Sequence, residues 1–225
     1  MDTERVRDHF RVQVSGYPDL MRRLIPFYDE QREIMLRLIP FDRAAPIRVL
    51  DLGCGPGVMV AEILSRYPNA HLTAFDLTEE MLQACRMRIG INERVVYRLG
   101  DFRSDALGQE YDLIMASLSL HHLQLPERPT FLRRVHQILK PGGIIIAAEV
   151  IVDEDIDVRE QQYELWRRFI AGNGEDAAYW FARHLEKDHP APIHALIKML
   201  GDAGFSQGGC HWRFLNFAIL SGRLW

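Results

Sequence analysis

The decapeptide Arg48-Val49-Leu50-Asp51-Leu52-Gly53-Cys54-Gly55-Pro56-Gly57 is the most informative segment of this 225-residue chain. Arg48–Leu52 has strand character, glycines follow at alternate positions, and Val58–Tyr67 then repeats its apolar residues at helical spacing. A strand, a glycine turn and a helix in that order set backbone N–H groups and a helix N-terminus at one edge of a sheet. Glycine has no Cβ, so a ligand can approach the backbone closely there.

The same alternation continues outward. Strands are expected at Arg48–Leu52, His71–Asp76, Val95–Leu99, Asp112–Ser117 and Ile144–Val150, and helices at Val58–Tyr67, Glu79–Ile89 and Arg128–Leu139. Lys140-Pro141-Gly142-Gly143 stops the last helix, since proline cannot continue it and glycine supplies the turn. Short apolar runs alternating with helical patterns are the signature of an α/β, Rossmann-like parallel sheet wrapped by helices. Beyond the core, helices are expected at 155–170, 176–186 and 193–203, followed by strands Cys210–Leu215 and Asn216–Gly222. Before it, Ile34, Leu38 and Phe41, with Met35 and Ile39 beside them, mark one helix face, while Tyr17-Pro18 and Pro26 break the region into pieces. The parts are a helical cap at 1–46, a core at 47–150, a helical cap insert at 151–192 and a C-terminal helix and strand pair at 193–225, all within one domain.

Composition narrows the class. With 48% hydrophobic and 26% charged residues, the chain is neither disordered, fibrous nor a coiled coil. A net charge of −4 gives no general attraction for nucleic acid or anionic lipid. Cys54, Cys85 and Cys210 lie far apart, which argues against a disulfide framework or zinc knuckle and fits a reducing cytoplasm. The first residues are charged, without the apolar core of a targeting segment. Ile144–Val152 contains Glu149 and falls short of the roughly 20 apolar residues of a membrane span.

The acids at the strand ends point to the ligand. A dinucleotide loop requires a third glycine where Val58 stands, and Asp51 would repel a pyrophosphate. A carboxylate there suits a cation such as S-adenosylmethionine (SAM), which carries an ammonium, a sulfonium and no phosphate. Gly53, Cys54 and Gly55 form the cradle. Asp76, with Leu77 beside it, closes the second strand about 20 residues beyond the loop, where an acid meets a ribose diol. Gly100-Asp101-Phe102 closes the third, with a carboxylate for the adenine amino group and an aromatic face for the ring.

Val49–Gly57, Asp76, Gly100-Asp101 and Leu139–Gly143 resemble the successive motifs of class I SAM-dependent methyltransferases. Ala203-Gly204-Phe205, Trp212 and Asn216-Phe217-Ala218 extend the resemblance to the C-terminus. It implies a doubly wound, mainly parallel seven-stranded sheet whose last pair includes an antiparallel strand. The flanks Tyr17-Pro18-Asp19-Leu20-Met21 and Ile25-Pro26-Phe27-Tyr28 are similar to the bacterial carboxy-SAM synthases, enzymes that carboxylate the SAM methyl group for tRNA wobble-uridine modification. That second resemblance implies that Tyr28 closes over the cofactor, that Leu215-Asn216-Phe217 belongs to the site and that Arg183 recognises the extra carboxylate. The glycine-rich loop, Ser117 in place of the synthases' asparagine, and Leu120-His121-His122-Leu123 instead follow small-molecule methyltransferases. The expected activity is therefore in-line methyl transfer from SAM to a small-molecule acceptor, with the synthase as the alternative.

Methyl transfer needs little acid–base help, because the sulfonium is already a good leaving group. His121 and His122 follow the fourth strand at the acceptor's side. One can serve as base, and packing beneath the cofactor loop is the plainer role. Glu149, ending the fifth strand, is expected to face the cleft. His184, Asp188, His189 and His194 lack the spacing of a zinc hydrolase pair and read as a polar helix junction, so no metal is expected. Tyr163, Trp166 and Ile170 share a helix face and read as core, with an acceptor pocket or a homodimer face as the sharper alternative. Arg159, Arg167, Arg168 and Arg183 are mixed with Glu160, Glu164 and Glu175 as a solvated face, without an RNA groove.

Overall fold

A computed structural model describes residues 16–225. The described residues begin with helices α1 (Tyr17–Leu24) and α2 (Tyr28–Arg37). The core follows as β1 (Arg48–Leu52), α3 (Val58–Arg66), β2 (His71–Asp76), α4 (Glu79–Ile89), β3 (Val95–Leu99), β4 (Tyr111–Ser117), a 3₁₀ turn (Leu120–His122), α5 (Arg128–Ile138) and β5 (Leu139–Val150). It ends with α6 (Ile156–Gly172), α7 (Ala177–Lys187), α8 (Ile193–Asp202), β6 (Gly209–Phe214) and β7 (Phe217–Arg223). The seven strands form one sheet in the order β3-β2-β1-β4-β5-β7-β6. It is parallel from β3 through β5 and antiparallel across β7 and β6.

Strand alternation places two apolar layers on this sheet. Val49, Leu72, Leu113 and Ile146 face α3 and α4, together with Met35 and Leu36 of α2. Leu50, Leu52, Ile114 and Ile145 face Phe131, Leu132 and Val135 of α5 and Leu200 of α8. A third cluster forms the cap, where Leu20, Leu24 and Tyr28 meet Tyr163, Trp166 and Ile170 over Val150 and Phe217. The Trp166 indole N–H donates to the Leu24 carbonyl at 2.8 Å, joining the two cap segments.

Several boundaries differ from the sequence expectation. As expected, Pro26 lies between α1 and α2; Tyr17-Pro18 opens α1, because proline in the first turn forfeits no intrahelical bond. Phe41 lies beyond the end of α2, although it still packs on the core. Leu139 is already strand, paired with Tyr111, and Lys140–Gly143 bulges before the ladder resumes at Leu113 and Ile144. Leu215-Asn216 is the turn of the terminal hairpin and not the junction of two abutting strands. Leu215 takes a φ of 49° there, which the absence of glycine concealed.

Replacing Trp166 with Phe retains most of the packing and removes the bond to Leu24. The expected cost is about 1 kcal/mol of unfolding free energy, the net worth of one hydrogen bond. Urea unfolding checks the size, and amide exchange should speed up in α1 before it does in β1.

Candidate cofactor and acceptor site

The loop after β1 is fixed from two sides. Its glycines Gly53, Gly55 and Gly57 all have positive φ. A Cβ on Gly53 would lie 2.6 Å from the Ser119 Cβ, and one on Gly57 would collide with the Cys85 sulfur. The N–H groups of Gly53 and Cys54 donate to the Phe75 carbonyl at 2.8 and 3.0 Å. The Gly55 N–H donates to Asp76 Oδ2 at 2.9 Å, so the loop and the end of β2 form one unit. Asp76 Oδ1 also accepts from the Thr78 N–H at 3.0 Å, and its pKa is raised by burial against these bonds and one from the half-buried Leu77.

Asp51, at the centre of this edge, differs from its neighbour. Its side chain is buried and neither oxygen has a hydrogen-bond partner. Burial, followed by the nearby Asp76 charge, pushes its pKa up to about 7. A buried carboxylate without partners is costly until a cation or donor meets it. This unmet group fits a cationic cofactor. Tyr28 is buried under the Arg32 guanidinium, which lies 4.8 Å from its ring centre. Tyr17 was not singled out from the residues as a binding group. Burial raises its pKa, and the charges of Tyr28 and Asp76 add to the rise, so Tyr17 stands close to both.

Between the cap and the sheet edge lies a cavity of about 160 Å³, lined by residues that include Tyr17, Leu118, His122, Trp166, Arg183 and Asp188. Arg183 is half-buried, lies 5.8 Å from the Tyr179 ring centre and has no carboxylate partner among the described residues. Ser117 ends β4 half-buried, paired in register with Ala148.

Three expected site residues have protein partners of their own. Asp101 accepts from Arg103 Nε at 2.9 Å and from Nη2 at 2.6 Å, so a guanidinium shares its carboxylate. Burial works to raise its pKa, and the Arg103 bonds hold it below the usual range. Phe102 leans on Phe131, with ring centres 5.4 Å apart, and its face is shared with the core. Glu149 does not face the cleft. Val150 lines the cap cavity, so strand alternation sends Glu149 to the opposite face. There it is buried beside Arg128 at 3.6 Å, on an apolar cavity of about 40 Å³ that also touches Phe131 and Leu200. Burial pushes its pKa up to about 7 despite Arg128.

The histidines gather around one carboxylate. Asp188, at the end of α7, has Oδ1 at 3.1 Å from His122 Nδ1 and 3.6 Å from His121 Nε2. Its Oδ2 lies 2.8 Å from His184 Nδ1, and His184 Nε2 lies 3.3 Å from the Tyr163 hydroxyl. Burial alone would raise the Asp188 pKa, but the surrounding imidazoles hold it far below the usual carboxylate range. His121 is buried, and burial, with His122 beside it, pushes its pKa down to about 3, so it is a poor base. His122 is exposed. His189 contributes its backbone N–H to the His121 carbonyl, while His194 pairs with Glu154 at the surface. Among the described residues no helix is long and apolar enough to cross a membrane.

Residues 49–143, from β1 to the bulge of β5, match the family model described as a methyltransferase domain. Over that stretch, less than half of the chain, the core matches a methyltransferase domain. Its cofactor is SAM. A carboxy-SAM synthase from Wolinella succinogenes is 28% identical over 234 residues, covering 96% of this chain and 94% of that protein. Trans-aconitate 2-methyltransferase from Mycolicibacterium gilvum is 36% identical over 120 residues, covering 53% of this chain and 42% of its own. Human N-acetylserotonin methyltransferase, solved with SAM, shares the fold at a TM-score of 0.58 and 23% identity. That match covers 88% of this chain and 56% of the human one. The methyltransferase domain therefore contains the glycine loop, Asp51, Asp76 and the histidine turn, while most of the cap lies outside residues 49–143.

The Asp51 carboxyl gives this domain a pH signature. An unfolded aspartate titrates near 4, roughly, and the native group near 7. The native state holds the extra proton between those values, so the contribution of Asp51 to stability falls as pH rises through the window. Asp51→Asn is expected to stabilise the ligand-free protein at pH 8 and to lose most of that gain at pH 5. Urea unfolding at both values is the test; a gain independent of pH would show that the buried charge is not the cause.

Proposed function

We propose that this chain transfers the methyl group of SAM to a small molecule held beneath the helical cap. The observation that carries the reading is the partnerless Asp51 carboxylate beside the tied glycine loop, one buried anion where a cationic cofactor belongs. Bound SAM supplies an electrophilic methyl on a positively charged sulfur. Asp51 compensates the positive charge of the amino-acid end, and Gly53, Cys54 and Gly55 let that end come close to the backbone. Asp76 has lone pairs left after its bonds to Gly55 and Thr78, which suits it to a ribose diol. Phe102 gives the adenine an apolar edge. Tyr17 and Tyr28 cover the cofactor from the cap side and exclude water.

The acceptor lies in the cavity above Leu118 and His122. Its lone pair forms the bond to the methyl carbon as the carbon–sulfur bond breaks, leaving that electron pair on a neutral thioether. Alignment is the main contribution of the protein to such a step. His121 is too weakly basic to take a proton, so ionisation of the acceptor rests on the group around His122 and Asp188.

Asp76→Ala is expected to weaken SAM binding about 10- to 100-fold, the effect of losing a charge-assisted bond worth roughly 1.5–3 kcal/mol. Calorimetric titration measures it, and the same titration with NAD should show no comparable binding. Unchanged affinity in a folded variant would remove Asp76 from the site.

A second reading, carboxy-SAM synthesis, is favoured by the end-to-end likeness to the Wolinella synthase and by Arg183 on the cavity wall. An unpaired arginine in a partly dry cleft is the natural partner of a carboxylate. Competitive binding of SAM and carboxy-SAM separates the readings. The wild type is expected to bind SAM at least as well; a strong preference for carboxy-SAM that disappears in Arg183→Ala would establish the second reading in place of the first.

A further inference from the structure

The cap cavity has a second chemical feature at its base. One ligand atom from each of His121, His122 and Asp188 lies within 4.8 Å of the other two. The separations to Asp188 Oδ1 are 3.6 Å for His121 Nε2 and 3.1 Å for His122 Nδ1. A first-row divalent ion sits about 2.1 Å from nitrogen and oxygen ligands, which puts adjacent ligand atoms about 3.0–3.4 Å apart. The two separations to Asp188 are thus within a few tenths of an ångström of that spacing, and the two histidine nitrogens lie within 4.8 Å of each other.

Hydrogen bonding does not account for His121. Its side chain is 6% exposed, its Nδ1 has no partner, and 3.6 Å from Nε2 to Asp188 is beyond a hydrogen bond. A buried imidazole with neither ring nitrogen bonded, and one of them directed at a carboxylate oxygen that a second imidazole also approaches, is an incomplete arrangement. An ion between the three atoms completes it. The opposite oxygen of Asp188 is already held by His184, which in turn meets Tyr163, the outer-shell support that fixes a ligating carboxylate.

We infer that His121, His122 and Asp188 form a site for a first-row divalent metal ion, with open positions directed into the cap cavity. Two histidines and one carboxylate suit zinc, cobalt, manganese or ferrous iron better than calcium or magnesium. Arg183 and Lys187 line the same cavity, so the ion is best accompanied by an anionic ligand. The acceptor class that meets both demands is an acid with a hydroxyl or keto oxygen beside its carboxylate, chelating the ion while the carboxylate reaches Arg183. A bound ion lowers the pKa of a coordinated hydroxyl, and His122 is then a ligand and not a base. The assignment of acceptor rests on the methyltransferase reading; the metal site itself does not.

The test uses the full chain after treatment with a chelator. Co²⁺ titration followed by visible d–d absorption, and Zn²⁺ titration by calorimetry, are expected to show one saturable equivalent. His122→Ala, at an exposed position that does not endanger folding, and Asp188→Asn should each weaken binding at least 100-fold. His184→Gln, which acts through Asp188, should weaken it about 10-fold. SAM affinity, measured on the same samples, should be retained, and its absence would count against the functional reading alone. No saturable equivalent in the wild type, or equal affinity in the wild type and His122→Ala, overturns the metal site.

Discussion

Strand β1 lies between β2 and β4, and the chain leaves it towards both sides of the sheet. At its carboxyl end the following loops must therefore part, and the crevice they leave is the one place on the sheet edge where a ligand meets several backbones at once. The other features of the site depend on this constraint. Asp51 is at the tip of β1, Asp76 at the tip of β2 and the histidine turn just beyond β4, so three separate segments converge without any long-range loop. The positive-φ glycines are the local condition for this, since any larger residue at Gly53 or Gly57 would drive the loop off Ser119 or Cys85.

The sheet edge and the cap divide the work. The edge is polar, tied by backbone bonds and carries the buried acids. The cap is aromatic, with Trp166, Trp180 and Phe217 around a cavity whose charged groups come almost wholly from the end of α7 and the turn after β4. This division matches the comparisons. The domain match ends within β5, and the partial likeness to trans-aconitate 2-methyltransferase covers about half of the chain, whereas the synthase likeness also runs through the flanks.

Much of this was legible in the sequence because it is local. The limits of β1, β2, β3 and α4 follow from apolar runs and their punctuation, and the glycine loop states its own conformation. What escaped depends on parity or on distance. Glu149 ends a strand on the correct edge, but one position decides the face, and Val150 took the cleft side. Asp101 is claimed by Arg103, two residues on, through a turn that spacing alone does not reveal. Asp188 and His184 were readable as an i,i+4 pair on α7; that His121 and His122 meet the same carboxylate is a tertiary fact, set by how the cap lies on the turn after β4.

The indole bond from Trp166 to Leu24 spans 142 positions of the chain. Its consequence is a matter of timing. During synthesis α1 emerges early with Leu20 and Leu24 bare, while β1 to β5 can pair through nearer contacts before α6 exists. Closing so long a loop comes late in folding, because its entropy is lost before the contact rewards it. The half built on the sheet thus matures first and the roof over the cavity last. A nascent or damaged molecule would then keep an ordered sheet edge beneath an unfinished roof.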